Sequence, residues 1–176
     1  MACEGLIRLR RATVDDAYEI AVVHVNSWRE AYVGQVPAPF LEALSFERRE
    51  SMWRSSLEVQ SGDHRPWVAE SDSGIVGFVS VGLSRDNDAT TTTGEVYAIY
   101  VEPECWSRGI GRELLRHASR DLREHGFLVA TLWVLASNER ARRFYEWSNW
   151  HFEGKRRTET IGSAEVEEVR YRYDLR

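Results

Sequence analysis

The stretch VYAIYVEPECWSRGIGRELLRHA, from Val96 to Ala118, carries the reading of this chain. Its first part has hardly a polar residue, as expected for a central strand covered on both faces. A proline turn follows, then Arg108-Gly109-Ile110-Gly111 and a helical pattern. Ile110, Leu114, Leu115, Ala118 and Leu122 fall on one side of that helix. Glycine lets a backbone approach a ligand closely with its N–H groups available. A helix N-terminus adds four unpaired N–H groups and a positive dipole end, which suit phosphate. Arg108 to Arg112 therefore form a candidate pyrophosphate cradle, and a tight turn that binds nothing is the alternative.

Two other phosphate motifs are absent. The dinucleotide fingerprint needs a third glycine where this chain has Leu114. The nucleotide P-loop needs Gly-Lys-Ser/Thr, a tripeptide the chain lacks.

Outward from the glycines, the order reads β-α-α-β-β-β-α-β-α-β-β. LIRLR, Leu6 to Arg10, is a first strand. Thr13 caps a helix from about Asp15 to Tyr32, whose apolar face holds Ala17, Ile20, Ala21, His24, Trp28, Ala31 and Tyr32. A short helical stretch near Phe40 to Leu44 precedes a helix capped by Ser45. RPWVAES, a DSG turn and IVGFVSVG form a hairpin. FLVATLWVL is another apolar strand, Asn138 to Trp147 a short helix, and two final strands follow. No repeat or linker interrupts this order, so residues 1–176 read as one α/β domain.

Net charge is −5, from 23 basic and 28 acidic side chains, which argues against a nucleic-acid module. No run approaches the ~18 apolar residues of a membrane span, and the start lacks a signal peptide. A cytoplasmic protein is expected. Cys3 and Cys105 make neither a disulfide framework nor a metal pattern, and the five histidines show no ligand spacing. No metal is expected. A thiol enzyme using Cys105 lacks an identifiable partner group.

With this order in place, the chain resembles the GNAT superfamily of N-acetyltransferases over nearly its whole length. The quoted stretch is similar to the family's acetyl-CoA motif, a central strand followed by Gln/Arg-x-x-Gly-x-Gly/Ala and a helix. Gly109 and Gly111 match, and the Gln/Arg position holds Trp106. That leaves the backbone cradle intact and removes one side-chain contact. The segment ASNERARRFYEWSNWHFEG looks like the family's next motif, with Asn138, Ala141 and Tyr145 in register. Asn149-Trp150 stands where the family often has Gly-Phe; asparagine tolerates positive φ, so the turn survives.

The resemblance implies a GNAT-like mixed, mostly antiparallel sheet flanked by helices, with acetyl-CoA as cosubstrate. It implies cosubstrate contacts from Ile99, Tyr100 and Val101, from Trp106, Ser107, Arg108, Gly109, Ile110, Gly111 and Arg112, and from Asn138, Ala141 and Tyr145. The implied reaction moves acetyl to a primary amine of a small molecule or peptide by direct attack in a ternary complex. Such a reaction needs a neutral amine, an oxyanion donor and an acid for the thiolate. Glu95 aligns with a base of some members and Tyr145 with the acid. A backbone N–H from Ile99 to Val101 is the expected oxyanion donor. Trp28, Tyr32 and Tyr97 are candidate acceptor-pocket residues, with plain core as the alternative for each. Strand alternation places Tyr97 and Tyr100 on opposite faces. Asp86 and Asp88 could attract a cationic amine or be simply solvated. The non-enzyme alternative is a catalytically silent acyl-CoA-binding sensor of the same fold. The state, monomer or homodimer, stays open.

Overall fold

A computed structural model describes residues 5–59 and 64–176. Cys3 lies outside them. The first strand, β1 (Arg8–Arg11), begins two residues later than the apolar pattern suggests. Thr13 opens a single 3₁₀ turn, Val14–Asp16, that feeds α1 (Ala17–Ala31). Asp16 does more there than face a dipole. Its Oδ2 accepts from Thr13 N–H at 2.7 Å and from the Arg10 guanidinium at 2.7 Å. Two shorter elements follow, α2 (Ala38–Glu42) and α3 (Phe46–Glu58), the latter capped by Ser45 Oγ accepting from Arg48 N–H at 3.1 Å.

The remaining elements are β2 (His64–Ser71), β3 (Gly74–Leu83), β4 (Thr93–Val101), α4 (Ile110–Glu124), β5 (Val129–Leu135), α5 (Glu139–Trp147), β6 (His151–Ile161) and β7 (Ala164–Asp174). They form a seven-stranded sheet in the order β1-β2-β3-β4-β5-β7-β6. All neighbours are antiparallel except β4 and β5. The mixed, mostly antiparallel architecture expected of the chain is the one observed.

Each face of the sheet is covered by the helix whose apolar stripe fits it. On one face, Ile110, Leu114, Leu115, Ala118 and Leu122 of α4 are all buried against Val79, Val81, Val96 and Leu132. Each larger side chain contributes about 1.5–3 kcal/mol by leaving water. Leu114→Ala would cost about 2–5 kcal/mol, because a helix wedged against a sheet cannot collapse into the gap. On the other face, Ala17, Ile20, Ala21 and Val23 of α1 meet Trp53 of α3 and Val68, Ile75 and Phe78 of the sheet.

One register shift changes the reading of β4. Ser80 pairs with Ala98 but Val81 pairs with Val96, so Tyr97 is the extra residue of a bulge. Val96, Ile99 and Val101 consequently lie with the α4 core, and Ala98 and Tyr100 with the α1 core. Tyr97 contacts His64 at a ring-centroid distance of 5.8 Å, on the α1 and α3 side where Tyr100 also packs. The simple alternation that placed the two tyrosines on opposite faces is therefore wrong. Asn149 does take positive φ, at 64°, in the turn after α5.

Candidate active site

Strands β4 and β5 pair only from Thr93↔Val129 to Glu95↔Thr131. Beyond that point the two strands separate. The gap opens into a groove of about 1010 Å³ that runs between the start of α4, the α5 helix and the α1–α2 segment.

At one end the chain turns through Ser107 (φ 63°) and Gly109 (φ 85°) into α4. Both residues sit in the left-handed region, which costs glycine little and other residues about 1–2 kcal/mol. The first amide of α4 to bond within the helix is Glu113 N–H, to Gly109 O at 3.1 Å. The amides of Ile110, Gly111 and Arg112 thus precede the helical ladder and face the cradle end. Ser107, Gly109, Ile110, Gly111 and Arg112 line the groove; Arg108 is exposed and lies outside the lining. A Cβ on Gly111 would stand 3.6 Å from Phe144, so that position is bare toward the groove without being crowded by the protein. Trp106 fills the family's Gln/Arg position by donating Nε1–H to Val101 O at 2.7 Å, while the Arg140 guanidinium stacks 3.6 Å from its ring.

The middle of the groove holds Tyr145, only 7 % exposed, one helical turn after Ala141. Asn138 caps this helix by accepting from Ala141 N–H at 3.1 Å, which explains why the two residues travel together with Tyr145. Among the described residues nothing hydrogen-bonds the Tyr145 hydroxyl. Burial pushes its ionisation well above that of an ordinary phenol, so it stays protonated at neutral pH.

The other end is aromatic. Trp28 and Tyr32 of α1 meet edge to face at 4.8 Å, and Tyr32 Oη lies 3.3 Å from Tyr100 Oη. Burial raises the ionisation of both tyrosines. Trp28 Nε1 is buried with no hydrogen-bond partner among the described residues. His24 stacks on Tyr100 at 5.0 Å and accepts from Trp53 Nε1 at 3.2 Å; burial lowers its pKa to about 3, so it is neutral. His24 does not line this groove.

Glu95 lines the groove and is buried. Its Oε2 accepts from Arg85 N–H at 2.9 Å and its Oε1 from Arg85 Nη2 at 2.8 Å. Asp86 and Asp88 are not among the residues that line the groove, although Asp86 accepts from Trp133 Nε1, a lining residue, at 2.9 Å. Both aspartates bind Arg170 on β7, at 2.7 and 2.8 Å, and Asp88 also pairs with Lys155. Their role is to strap the β3–β4 loop to the sheet. Cys105 is buried and disulfide-bonded, so it offers no free thiol.

Sequence reasoning missed Arg85, Trp133, Arg157 and Glu168, all of which line the groove. No local signal marks them, because the groove is assembled from strands far apart in the chain.

A parallel seam that splits over a glycine-rich helix start, with a protonated tyrosine in the gap, defines an acyl-transfer fold. Residues 25–149 match the acetyltransferase (GNAT) family, and the chain belongs to that family. It is an N-acetyltransferase. YuaI of Bacillus subtilis (strain 168), an uncharacterized N-acetyltransferase, is 36 % identical over 135 residues, 76 % of this chain and 74 % of that protein. The spermidine N(1)-acetyltransferase of Thermoplasma acidophilum is 24 % identical over 168 residues, 94 % of this chain and 98 % of its own. Among solved structures, the PaiA N-acetyltransferase of Thermoplasma acidophilum in complex with coenzyme A aligns with a TM-score of 0.76. It shares 22 % identity over 96 % of this chain and 100 % of its own. Among the described residues no helix is long and apolar enough to cross a membrane.

Proposed function

We propose that this protein transfers the acetyl group of acetyl-CoA to a primary amine by direct attack in a ternary complex. The observation that carries the reading is the split between β4 and β5, which joins a phosphate-suited helix start to an aromatic pocket past a buried tyrosine. Acetyl-CoA supplies the activated thioester. The residues present fit it. The Ile110, Gly111 and Arg112 amides suit the pyrophosphate, and the bare Gly111 face leaves room for close approach.

In the transfer, the amine nitrogen bonds the acetyl carbon, the carbon–sulfur bond breaks, the amine loses one proton and the sulfur gains one. Tyr145 Oη gives that proton to the sulfur; its buried, protonated hydroxyl, which no described residue hydrogen-bonds, supports this role. Glu95 receives the amine proton through water; Arg85 takes one position on each carboxylate oxygen and leaves a lone pair on each for that water. The oxyanion donor follows from strand geometry. Glu102 N–H turns to Val76 O on β3 at 2.9 Å, so alternation turns the Val101 and Ile99 amides toward the open side. Trp28, Tyr32 and Tyr97 line the acceptor end.

The test is thiol release from acetyl-CoA with a panel of amines, and mass analysis of the products. Amine-dependent release with a product heavier by one acetyl group is the expected result. Acetyl-CoA binding without turnover on any amine would leave a silent acyl-CoA sensor.

A further inference from the structure

The acceptor end of the groove is built from two matched units. Tyr97 on β4 and Trp133 on β5 each stand two residues beyond the last paired positions, Glu95 and Thr131. A guanidinium covers each ring: Arg85 lies 4.1 Å from the Tyr97 centroid and Arg157 4.3 Å from that of Trp133. A carboxylate holds each guanidinium from one side. Arg85 pairs with Glu95 at 2.8 Å and Arg157 with Glu168 at 2.7 Å; Arg157 also pairs with Glu159, outside the groove lining, at 3.4 Å.

The order of charges within these units decides what they attract. The arginine side chains are 67 % and 38 % exposed, whereas Glu95 and Glu168 are 4 % and 16 % exposed. Of the charges that line the groove here, the two cations are therefore outermost and Glu95 and Glu168 lie beneath them, while Glu159, 48 % exposed, stands outside the lining. Within the groove lining each arginine is thus the more exposed partner of its pair, and the guanidinium groups face the entering molecule. A guanidinium carries five N–H donors, and Arg85 commits one of them to Glu95. Donors remain for a planar anion, which arginine recognises in a two-pronged way that lysine does not.

We infer that the acceptor is a small amine with its own anionic group, an α-amino acid or close analogue, whose carboxylate docks on Arg85 and Arg157. Its amine then points into the gap between β4 and β5. This inference rests on the transferase reading above and names the class of substrate that reading leaves open.

The experiment compares kcat/KM for several amino acids, their amides, the corresponding decarboxylated amines and spermidine, using thiol release. Amino acids should exceed their amides by tenfold or more, chiefly through KM. Arg85→Gln and Arg157→Gln should shrink that ratio at least tenfold in folded protein, and Arg157→Lys should keep part of it. Equal or better turnover of amides, decarboxylated amines or spermidine by the unmodified protein would overturn the inference and leave the transferase reading standing. So would an amino acid to amide ratio unmoved in both folded glutamine variants. Absence of thiol release with every amine would overturn the transferase reading, and this inference with it.

Discussion

Glu95 on β4 and Thr131 on β5 are the last residues paired across the parallel seam of the sheet, and the groove opens just past them. Two residues on, Tyr97 and Trp133 already line an open groove. The split exposes backbone amides that a continued ladder would consume. It also lets α5 bring Tyr145 to the gap.

Tyr145→Phe removes a hydroxyl that burial keeps protonated and that no described residue hydrogen-bonds. Turnover should fall by roughly 10²–10⁴, with acetyl-CoA binding nearly kept. Steady-state kinetics with calorimetric binding of CoA checks both halves. Undiminished turnover would remove Tyr145 from the mechanism.

The two glycines of the cradle should separate stability from binding. Gly109 stands at φ 85°, so Gly109→Val should cost about 1–2 kcal/mol of stability. A Cβ at Gly111 meets Phe144 at an ordinary 3.6 Å, so Gly111→Val should leave the melting temperature within a few degrees while weakening CoA binding at least tenfold. Unchanged affinity in folded Gly111→Val would remove the cradle role.

Glu95→Gln keeps side-chain size and one accepted hydrogen bond from Arg85 but cannot take a proton. The loss in kcat/KM should be greatest at low pH, where free amine is scarcest, and should shrink as pH rises. A pH–rate profile parallel to that of the parent enzyme at every pH would show Glu95 to be purely structural.

His24 ties stability to pH. Burial lowers its folded pKa to about 3, from an unfolded value near 6.5. Between these values the unfolded chain binds the proton and the folded chain does not. Its contribution is thus intact above pH 6.5 and declines as pH falls toward 3, on the order of 1 kcal/mol per pH unit. Urea unfolding at pH 7.5, 5.5 and 4.5 should show a shallower pH dependence for His24→Gln than for the parent.

Asp121, buried in α4, accepts from Arg65 Nε at 2.7 Å and Trp67 Nε1 at 3.2 Å. Asp121→Ala would take away the carboxylate that Arg65, 6 % exposed, pairs with at 2.7 Å, and should cost about 3–5 kcal/mol. Denaturant titration measures it, and a loss under 1 kcal/mol would show that Arg65 finds another anion.

The parts of this protein written in the sequence are those whose causes are local. The α4 stripe from Ile110 to Leu122 is buried as its spacing requires. Gly109 adopts the positive φ that only glycine takes cheaply, and Asn138 caps α5 over a span of three residues. Each depends on neighbours within a turn or two, so periodicity and residue chemistry suffice to read it. Tertiary structure alone decided the face of Tyr97, the capture of Asp86 by Arg170 across 84 residues, and the meeting of Arg85 with Arg157 at one groove. A strand's side chains alternate with period two, so one inserted residue at a bulge reverses every face beyond it. That insertion is set by how β4 pairs with β3, a long-range register with no signature in the residues from Val96 to Ala98 themselves.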